Sequence, residues 1–184
     1  MAAITLFIIK CIYLMLPGIF ANMAPILFKN HFKKLAIPID LNKTYKGKRI
    51  LGDNKTLRGF VLGILLSIII VYIQTLLYSY PTFQSISFVN YETTNFLLLG
   101  FLIGFGVLFG DSFESFIKRR LDIAPGSSFM PWDQIDSVIG AIIFISIVYT
   151  LNLAQISTII AMSFLFSVLI SRIGYASGLR KEKI

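Results

Sequence analysis

Long apolar stretches separated by polar connections dominate the pattern of this 184-residue chain. Five stretches approach the roughly 20 apolar residues that a transmembrane helix needs. They cover residues 4–27, 59–80, 95–111, 135–151 and 156–174. The pattern therefore predicts an all-α integral membrane protein in which residues 1–184 form a single domain, a bundle of five transmembrane helices.

The polar connections alternate in charge along the chain. Nine of the 17 Lys and Arg residues fall within residues 28–58, whereas residues 81–94 contain none. Connection 112–134 carries a cluster of acids and bases that includes Lys118, Arg119 and Arg120, and the C-terminal RKEKI is again basic. Because basic connections stay on the cytoplasmic side, we predict an N-terminus outside the cell membrane. Loops 28–58 and 112–134 should then form a polar active site on the cytoplasmic side of this multi-pass protein.

The composition agrees with a membrane protein and excludes several kinds of site. Hydrophobic residues make up 56% of the chain and charged residues only 14%, against roughly 25% charged in an average soluble domain. The single Cys and single His exclude a disulfide framework, a cysteine-based metal site and the two-histidine zinc motifs. The net charge of +8 would suit nucleic acid, but membrane topology accounts for its clustering. We therefore predict no nucleic-acid partner.

A cluster of acids and bases follows the third apolar stretch. If its helix continues past Gly110, four polar side chains share one face, since positions i, i+3, i+4 and i+7 align on a helix. They are Asp111, Glu114, Ser115 and Lys118. Charged groups beside the hydrocarbon region are costly and mark a candidate functional site. A plainer interpretation stays open, in which Glu114 pairs with Lys118 and the neighbouring cations anchor the helix end.

Two more acids, Asp133 and Asp136, open the fourth apolar stretch three residues apart. They face the same way, and an antiparallel helix pair would bring them to Asp111. Carboxylate oxygens are the ligands that hard divalent cations prefer, so the three acids predict a site for Mg²⁺, with Mn²⁺ as the second choice. The alternative is that one of them only caps a helix, a position that Asp favours.

The segment before the second stretch interleaves cations with glycines. Glycines let backbone N–H groups approach phosphate, and the cations supply charge. The Walker spacing is absent. The candidate phosphate-binding residues of this segment are Lys46, Lys48, Arg49, Asn54, Lys55, Thr56 and Arg58. The alternative is a basic loop resting on anionic headgroups, at about 1 kcal/mol per Lys or Arg near the surface.

These residues together resemble the CDP-alcohol lipid synthases, membrane cytidylyltransferases that activate a lipid phosphate with CTP. The matching positions are Gly110-Asp111, Glu114-Ser115, Lys118-Arg119, Pro131 and Asp133-x-x-Asp136-Ser137. The chain departs from the bacterial and eukaryotic signature in having Pro125-Gly126 after the Lys-Arg pair, no His-Gly-Gly after the proline, and Gln134 where an arginine is usual. The segment from Gly47 to Gly59 resembles the archaeal branch, the CDP-archaeol synthases, and that resemblance spans nearly the whole chain.

The resemblance implies an enzyme that transfers CMP from CTP to an isoprenoid glyceryl ether lipid phosphate, 2,3-di-O-geranylgeranylglyceryl 1-phosphate, and releases pyrophosphate. It implies catalytic roles for Asp111, Lys55, Lys118 and Asp133, and Mg²⁺ ligation by Asp111, Asp133 and Asp136. Contacts to CTP or the lipid phosphate are implied for Lys46, Lys48, Arg49, Asn54, Lys55, Thr56, Arg58, Glu114, Ser115, Lys118 and Arg119. An oligomer is compatible with this resemblance.

Two other activities share parts of this pattern. A CTP-dependent polyisoprenol or phytol kinase would also be membrane-buried and bind a nucleotide, yet it must activate a neutral hydroxyl and so needs a positioned base. A small membrane transporter would place charges near the bilayer midplane, whereas these charges lie at the ends of the predicted spans. A non-enzymatic scaffold would leave the three acids without a role.

Overall fold

The computed structural model describes residues 1–124 and 127–176. The departure at Pro125-Gly126 and the predicted cytoplasmic position of the tail RKEKI therefore lie outside the described residues. The elements, in chain order, are α1 (Ala2–Leu27), β1 (Thr44–Tyr45), β2 (Lys48–Arg49), α2 (Leu57–Leu77), α3 (Pro81–Ser85), α4 (Phe96–Arg120), α5 (Asp136–Ile145) and α6 (Leu153–Ala176), with 3₁₀ turns at Lys33–Leu35 and Trp132–Gln134.

Within these described ranges, four helices are long and apolar enough to cross a membrane: α1, α2, α4 and α6. A mostly helical, multi-pass architecture is thereby confirmed. The predicted span 135–151 differs, because α5 ends at Ile145 and is too short to meet the same criterion. The count of five spans and the outside position of the N-terminus stay predictions.

The turn between α5 and α6 lies nearer the N-terminus than predicted, and a capping interaction fixes the start of α6. The Gln155 backbone N–H donates to the Asn152 side chain at 2.9 Å, and the Asn152 backbone N–H donates to the Gln155 side chain at 2.8 Å. This reciprocal pair is a capping box. It sets the first residue of α6 at Leu153, three residues before the predicted start, and leaves residues 146–152 to make the turn.

Helix α4 packs against α1, α2 and α5 and is the central element of the fold. A Cβ atom at Gly100 would lie 2.6 Å from the Ile68 Cα of α2, and one at Gly106 would lie 2.6 Å from the Gly140 carbonyl oxygen of α5. These glycines therefore allow backbone-to-backbone approach, as small residues spaced by four do in membrane helices. The glycines of α4 are therefore close-packing residues.

The contact between α4 and α5 is antiparallel, since Gly106 faces Gly140 and Gly110 faces Asp136. Helix α4 continues past Gly110 to Arg120, as the shared polar face required. It therefore extends ten residues, about 15 Å at 1.5 Å per residue, beyond the start of α5. Loop 28–56 contacts this extension instead, because the Arg120 guanidinium donates to the Tyr45 carbonyl at 3.0 Å and the Lys48 carbonyl at 3.3 Å.

We expect Gly140→Ala to destabilise the protein by about 1–3 kcal/mol, the usual range for an overpacked core. Its methyl group would overlap the Gly106 carbonyl oxygen, which belongs to the backbone and cannot rotate aside. Gly18→Ala is the matched control, because its nearest neighbour is a Val107 side-chain methyl at 3.1 Å and Ala gains roughly 1 kcal/mol of helix propensity. Thermal unfolding in one detergent compares them, and equal melting temperatures would contradict the close α4–α5 contact.

Candidate active site

A cavity of about 250 Å³ lies between the polar end of α4, the start of α5 and residues 28–56, which we call the basic loop. We call it the polar cavity. Its lining residues are Leu51, Gly52, Asp53, Asn54, Lys55, Asp111, Glu114, Ser115, Lys118, Arg119, Asp133 and Asp136. Five carboxylates and three cations are thus gathered from three separate segments of the chain. The structure brings together nine of the predicted site residues, all of these except Leu51, Gly52 and Asp53.

A salt bridge between Lys55 and Asp111 joins the basic loop to α4. The Lys55 Nζ lies 2.5 Å from an Asp111 carboxylate oxygen, and both side chains are largely buried. The two residues are 56 positions apart in the chain. A cation from one polar segment and a carboxylate from the other therefore meet in one place, as the prediction of a single site requires.

Lys118 lies between two carboxylates. Its Nζ is 2.8 Å from Asp133 and 3.2 Å from Glu114, which precedes it by one helical turn. Only 9% of the Lys118 side chain is exposed. Burial raises the pKa of Asp133, but hydrogen bonding with Glu114 and the hydrogen bonds donated by Lys118 and the Phe129 backbone N–H outweigh it and lower that pKa. The lowered pKa therefore favours the ionised carboxylate of Asp133, three residues before α5 begins.

Asp136 begins α5 directly beside Gly110. Its carboxylate accepts a hydrogen bond from the Ser137 backbone N–H at 2.5 Å, and an acid in the first turn of a helix also interacts favourably with the helix dipole. It also lines the polar cavity. The N-cap position of α5 is occupied by Ile135 and no side chain caps this helix, so the capping alternative is wrong for Asp136, and its metal ligation stays a prediction.

The acids of the polar cavity fit a metal bound jointly with a phosphate ligand. Among residues 1–124 and 127–176, no three Asp, Glu, His or Cys side chains form a ready-made metal cage. Mg²⁺ does not need one, because it keeps several waters and binds through one or two carboxylates plus substrate phosphates. Asp111 and Asp133 offer such hard oxygen donors, and each is paired with a lysine.

Five of the predicted site residues, four cations and the Thr56 hydroxyl, lie outside the lining of the polar cavity. Lys48 pairs with Asp122 at 2.6 Å, and Arg58 donates to the Lys29 and His31 carbonyls. Thr56 accepts from the Gly59 N–H and thereby caps α2. Lys46 lies over the Tyr45 ring, and Arg49 binds two aspartates. A phosphate-binding role for each of these residues stays a prediction.

A second, smaller cavity of about 170 Å³ lies beside the Lys55–Asp111 pair. Thr56 lines it, together with Asn54, Gly59 and, from α1, Asn22 and Pro25. It shares Asn54, Lys55 and Asp111 with the polar cavity. The salt bridge is therefore exposed to both cavities.

An apolar groove of about 600 Å³ adjoins the polar cavity between α4 and α5. It is lined by Phe109, Phe113, Ile117, Phe129, Trp132, Ile139 and Ile143, and it reaches Gly110, Glu114 and Asp136. The rings of Phe105, Phe109 and Phe113 are stacked along α4 with centroids 5.9 and 6.3 Å apart. Glu114 and Asp136 thus border both an apolar surface and a charged one.

The sequence interpretation missed two residues that build this site. Asp40, inside the basic loop, has a fully buried carboxylate that pairs with Arg49. Arg120, given no role beyond the anchoring that the plainer interpretation allowed, donates to three loop carbonyls and lies over the rings of Tyr45 and Phe116. The one available signal for Asp40 was an isolated acid among basic residues.

Comparison with known proteins identifies close matches over most of the chain. A family model described as "CarS-like: CDP-archaeol synthase" matches residues 4–183. The CDP-archaeol synthase of Pyrococcus furiosus is 33% identical, covering 85% of this chain and 86% of that protein. The one from Methanococcoides burtonii is 35% identical, with 87% and 99% covered. A solved structure described as "an intramembrane enzyme for archaeal membrane lipids biosynthesis" has a TM-score of 0.63 at 27% identity, covering 86% of this chain and 90% of its own.

We expect Lys118→Met to destabilise the protein by about 3 kcal/mol, because it leaves Glu114 and Asp133 buried without their shared cation. Adding Glu114→Gln should recover part of the loss. Lys33→Met, at an exposed position, should stay within about 0.5 kcal/mol of the unmodified protein. Thermal unfolding in detergent measures all three, and a silent Lys118→Met would mean that the cluster contributes no stability.

Proposed function

This chain belongs to the family of CarS-like CDP-archaeol synthases, and on that premise we propose that it is a membrane cytidylyltransferase. The reaction transfers CMP from CTP to the phosphate of an unsaturated archaeal ether lipid, 2,3-di-O-geranylgeranylglyceryl 1-phosphate. The products are CDP-archaeol and pyrophosphate, for polar lipid synthesis. The observation that carries the proposal is the polar cavity, where paired carboxylates and lysines open onto an apolar groove.

Both substrates carry phosphate, and the cavity offers cations to both. The lipid phosphate attacks the α-phosphorus of CTP, the new P–O bond forms, and the bond to pyrophosphate breaks. Lys55, Lys118 and Arg119 neutralise the negative charge that spreads over the phosphoryl oxygens, a preorganised electrostatic effect. A phosphate nucleophile is already ionised at neutral pH, so no strong general base is required.

A divalent ion, Mg²⁺ or Mn²⁺, would supply further charge neutralisation at the phosphates when bound. Asp111 and Asp133 are its proposed ligands, with Asp136 as the third. Arriving phosphates offer Lys55 and Lys118 new anionic partners, so the two lysines can release these carboxylates. Ser115 and Asn54 are proposed to donate hydrogen bonds to phosphate oxygens, and Glu114 to hold Lys118 in place.

The lipid chains are proposed to stay in the bilayer while the phosphate enters the polar cavity. The apolar groove beside Phe109 and Phe113 supports this arrangement, because its only charged lining residues are Glu114 and Asp136, which it shares with the polar cavity. A CTP-dependent kinase and a transporter are disfavoured, since the relatives matched over most of the chain are CDP-archaeol synthases.

We also propose five membrane crossings, with the N-terminus outside and the polar cavity on the cytoplasmic side. The fifth crossing would be made by α5 together with residues 146–152. Two contacts support it: α5 runs antiparallel to α4, and the Ser163 hydroxyl of α6 donates to the Gln134 carbonyl at 2.8 Å. Helix α6 thus returns along α5 towards the end of the fold where α5 began.

The activity is tested with the purified protein, CTP and the lipid phosphate, by following pyrophosphate and CDP-lipid. We expect turnover to require Mg²⁺ or Mn²⁺ and to stop with EDTA. Asp111→Asn, Asp133→Asn and Lys55→Ala should each lower kcat/KM by about 10² or more, the scale of losing one preorganised charge partner. Lys33→Ala, an exposed cation, should change it by less than about threefold. If Lys55→Ala and Lys33→Ala behave alike, the basic loop acts only as an anchor.

The topology is tested by labelling single cysteines in a Cys11→Ser background with an impermeant reagent. Ser85→Cys and Leu153→Cys, both exposed positions, should label from outside the cell. Lys43→Cys, in the basic loop, should label only after permeabilisation. Labelling of Leu153→Cys together with Lys43→Cys would remove the fifth crossing.

A further inference from the structure

We propose that Asp40 is a positioning residue for the reaction, which acts by holding the Leu51–Lys55 segment so that Lys55 meets Asp111. This inference rests on the proposed function for its kinetic readout and on the structure for its cause. Asp40 lies outside the lining of the polar cavity and does not touch the reacting groups there.

The Asp40 carboxylate is the centre of a hydrogen-bond network in the basic loop, which we call the hub. Its side chain is 0% exposed, and it accepts five hydrogen bonds. One oxygen accepts from the Asn42 N–H at 3.1 Å and the Arg49 Nη2 at 2.9 Å. The other accepts from the Arg49 Nε at 3.2 Å, the Leu51 N–H at 3.0 Å and the Gly52 N–H at 3.1 Å. All four lone-pair directions of a carboxylate are thereby used.

These bonds determine the path of the backbone into the polar cavity. The backbone N–H groups of Leu51 and Gly52 both donate to Asp40. Gly52 also has a φ of +105°, a conformation that favours glycine. The next three residues, 53–55, line the polar cavity. The Ile39 N–H, directly before Asp40, donates to the Lys55 carbonyl at 2.8 Å. Both ends of the Gly52–Lys55 segment are therefore fixed at Asp40 or its neighbour.

Arg49 belongs to this hub. Its guanidinium binds Asp40 through two nitrogens and reaches Asp53 at 2.8 Å with a third. Its carbonyl accepts from Arg120 at 2.5 Å, which ties the hub to α4. Burial raises the pKa of Asp40, but the bonds from Arg49 and the backbone amides outweigh it and hold that pKa below its usual range. The Asp40 carboxylate is therefore charged at neutral pH.

If Asp40 acts through Lys55, removing it matters only while Lys55 is present. Asp40→Asn keeps the volume but replaces an accepting oxygen by an NH₂ group, so bonds to the loop backbone are lost. We expect kcat/KM for CTP to fall about 10²-fold, the scale of a 1 Å misplacement. The double variant Asp40→Asn/Lys55→Ala should be no worse than Lys55→Ala alone, since residues acting as a unit are not additive. Multiplied losses would overturn the proposal.

Amide hydrogen exchange tests the same idea without the reaction. In Asp40→Asn, exchange should accelerate in residues 49–56 and stay unchanged in α4. Asp122→Asn is the matched control, because it removes another loop ion pair, to Lys48, from an exposed position. It should change kcat/KM by less than threefold and leave 49–56 protected. Unchanged exchange in Asp40→Asn would also overturn the proposal, even if the unmodified protein formed no CDP-lipid.

A second variant guards against a failure of Asp40→Asn to fold. Arg49→Gln leaves the Asp40 bonds to Leu51 and Gly52 and removes only the guanidinium. We expect a smaller loss of kcat/KM, about 10-fold, that again disappears in the Lys55→Ala background. A loss that multiplies with Lys55→Ala would assign Asp40 and Arg49 a general structural role and reject the positioning role.

Discussion

Backbone contact between α4 and α5 is the constraint on which the rest of the molecule depends. Gly106, Gly110 and Gly140 allow peptide groups of the two helices to touch, so no side chain separates them. The approach brings Asp136 beside Asp111, and it is possible only if both helices keep this register. Moving α5 by one turn would separate the acids while leaving both helices intact. The glycines are therefore needed for the chemistry as well as for packing.

The basic loop has little regular structure: a 3₁₀ turn at Lys33–Leu35 and a hairpin of two short strands, β1 and β2. It is held instead by charged side chains that each bind a specific acceptor. Asp40 organises it from inside, Arg120 binds it to α4, and Lys55 ties it to Asp111. Hydrogen bonds and ion pairs of charged side chains thus stabilise the fold of this loop, as buried apolar side chains stabilise a soluble domain.

Much of the helical framework could be predicted from the sequence, because hydrophobic length and glycine spacing are local signals. The shared face of Asp111, Glu114 and Lys118 followed from helical periodicity once α4 continued past Gly110. The early turn after α5 was also readable, since Asn152 and Gln155 have capping-box spacing. The predicted stretches 135–151 and 156–174 were instead bounded by hydropathy, which does not register a capping pair.

The partners of the loop cations could not be predicted in this way. Lys48 finds Asp122 74 positions away, and Arg58 turns to backbone carbonyls near α1. Leu41 and Lys46 adopt positive φ angles that their residue types rarely take. Such conformations follow from the folded loop and have no local pattern. The sequence therefore located the cationic segment but not which of its members face the polar cavity.

The two lysines of the polar cavity already have anionic partners inside the protein. A polyphosphate that enters does not meet bare charges; it competes with carboxylates for them. Binding is therefore a counter-ion exchange, and its free energy is the difference between two sets of ion pairs and not the sum of new ones. Such an exchange releases fewer dissolved ions than binding to an uncompensated basic surface. The affinity for the nucleotide should accordingly depend only weakly on salt, even though the lysine contacts to phosphate are ionic.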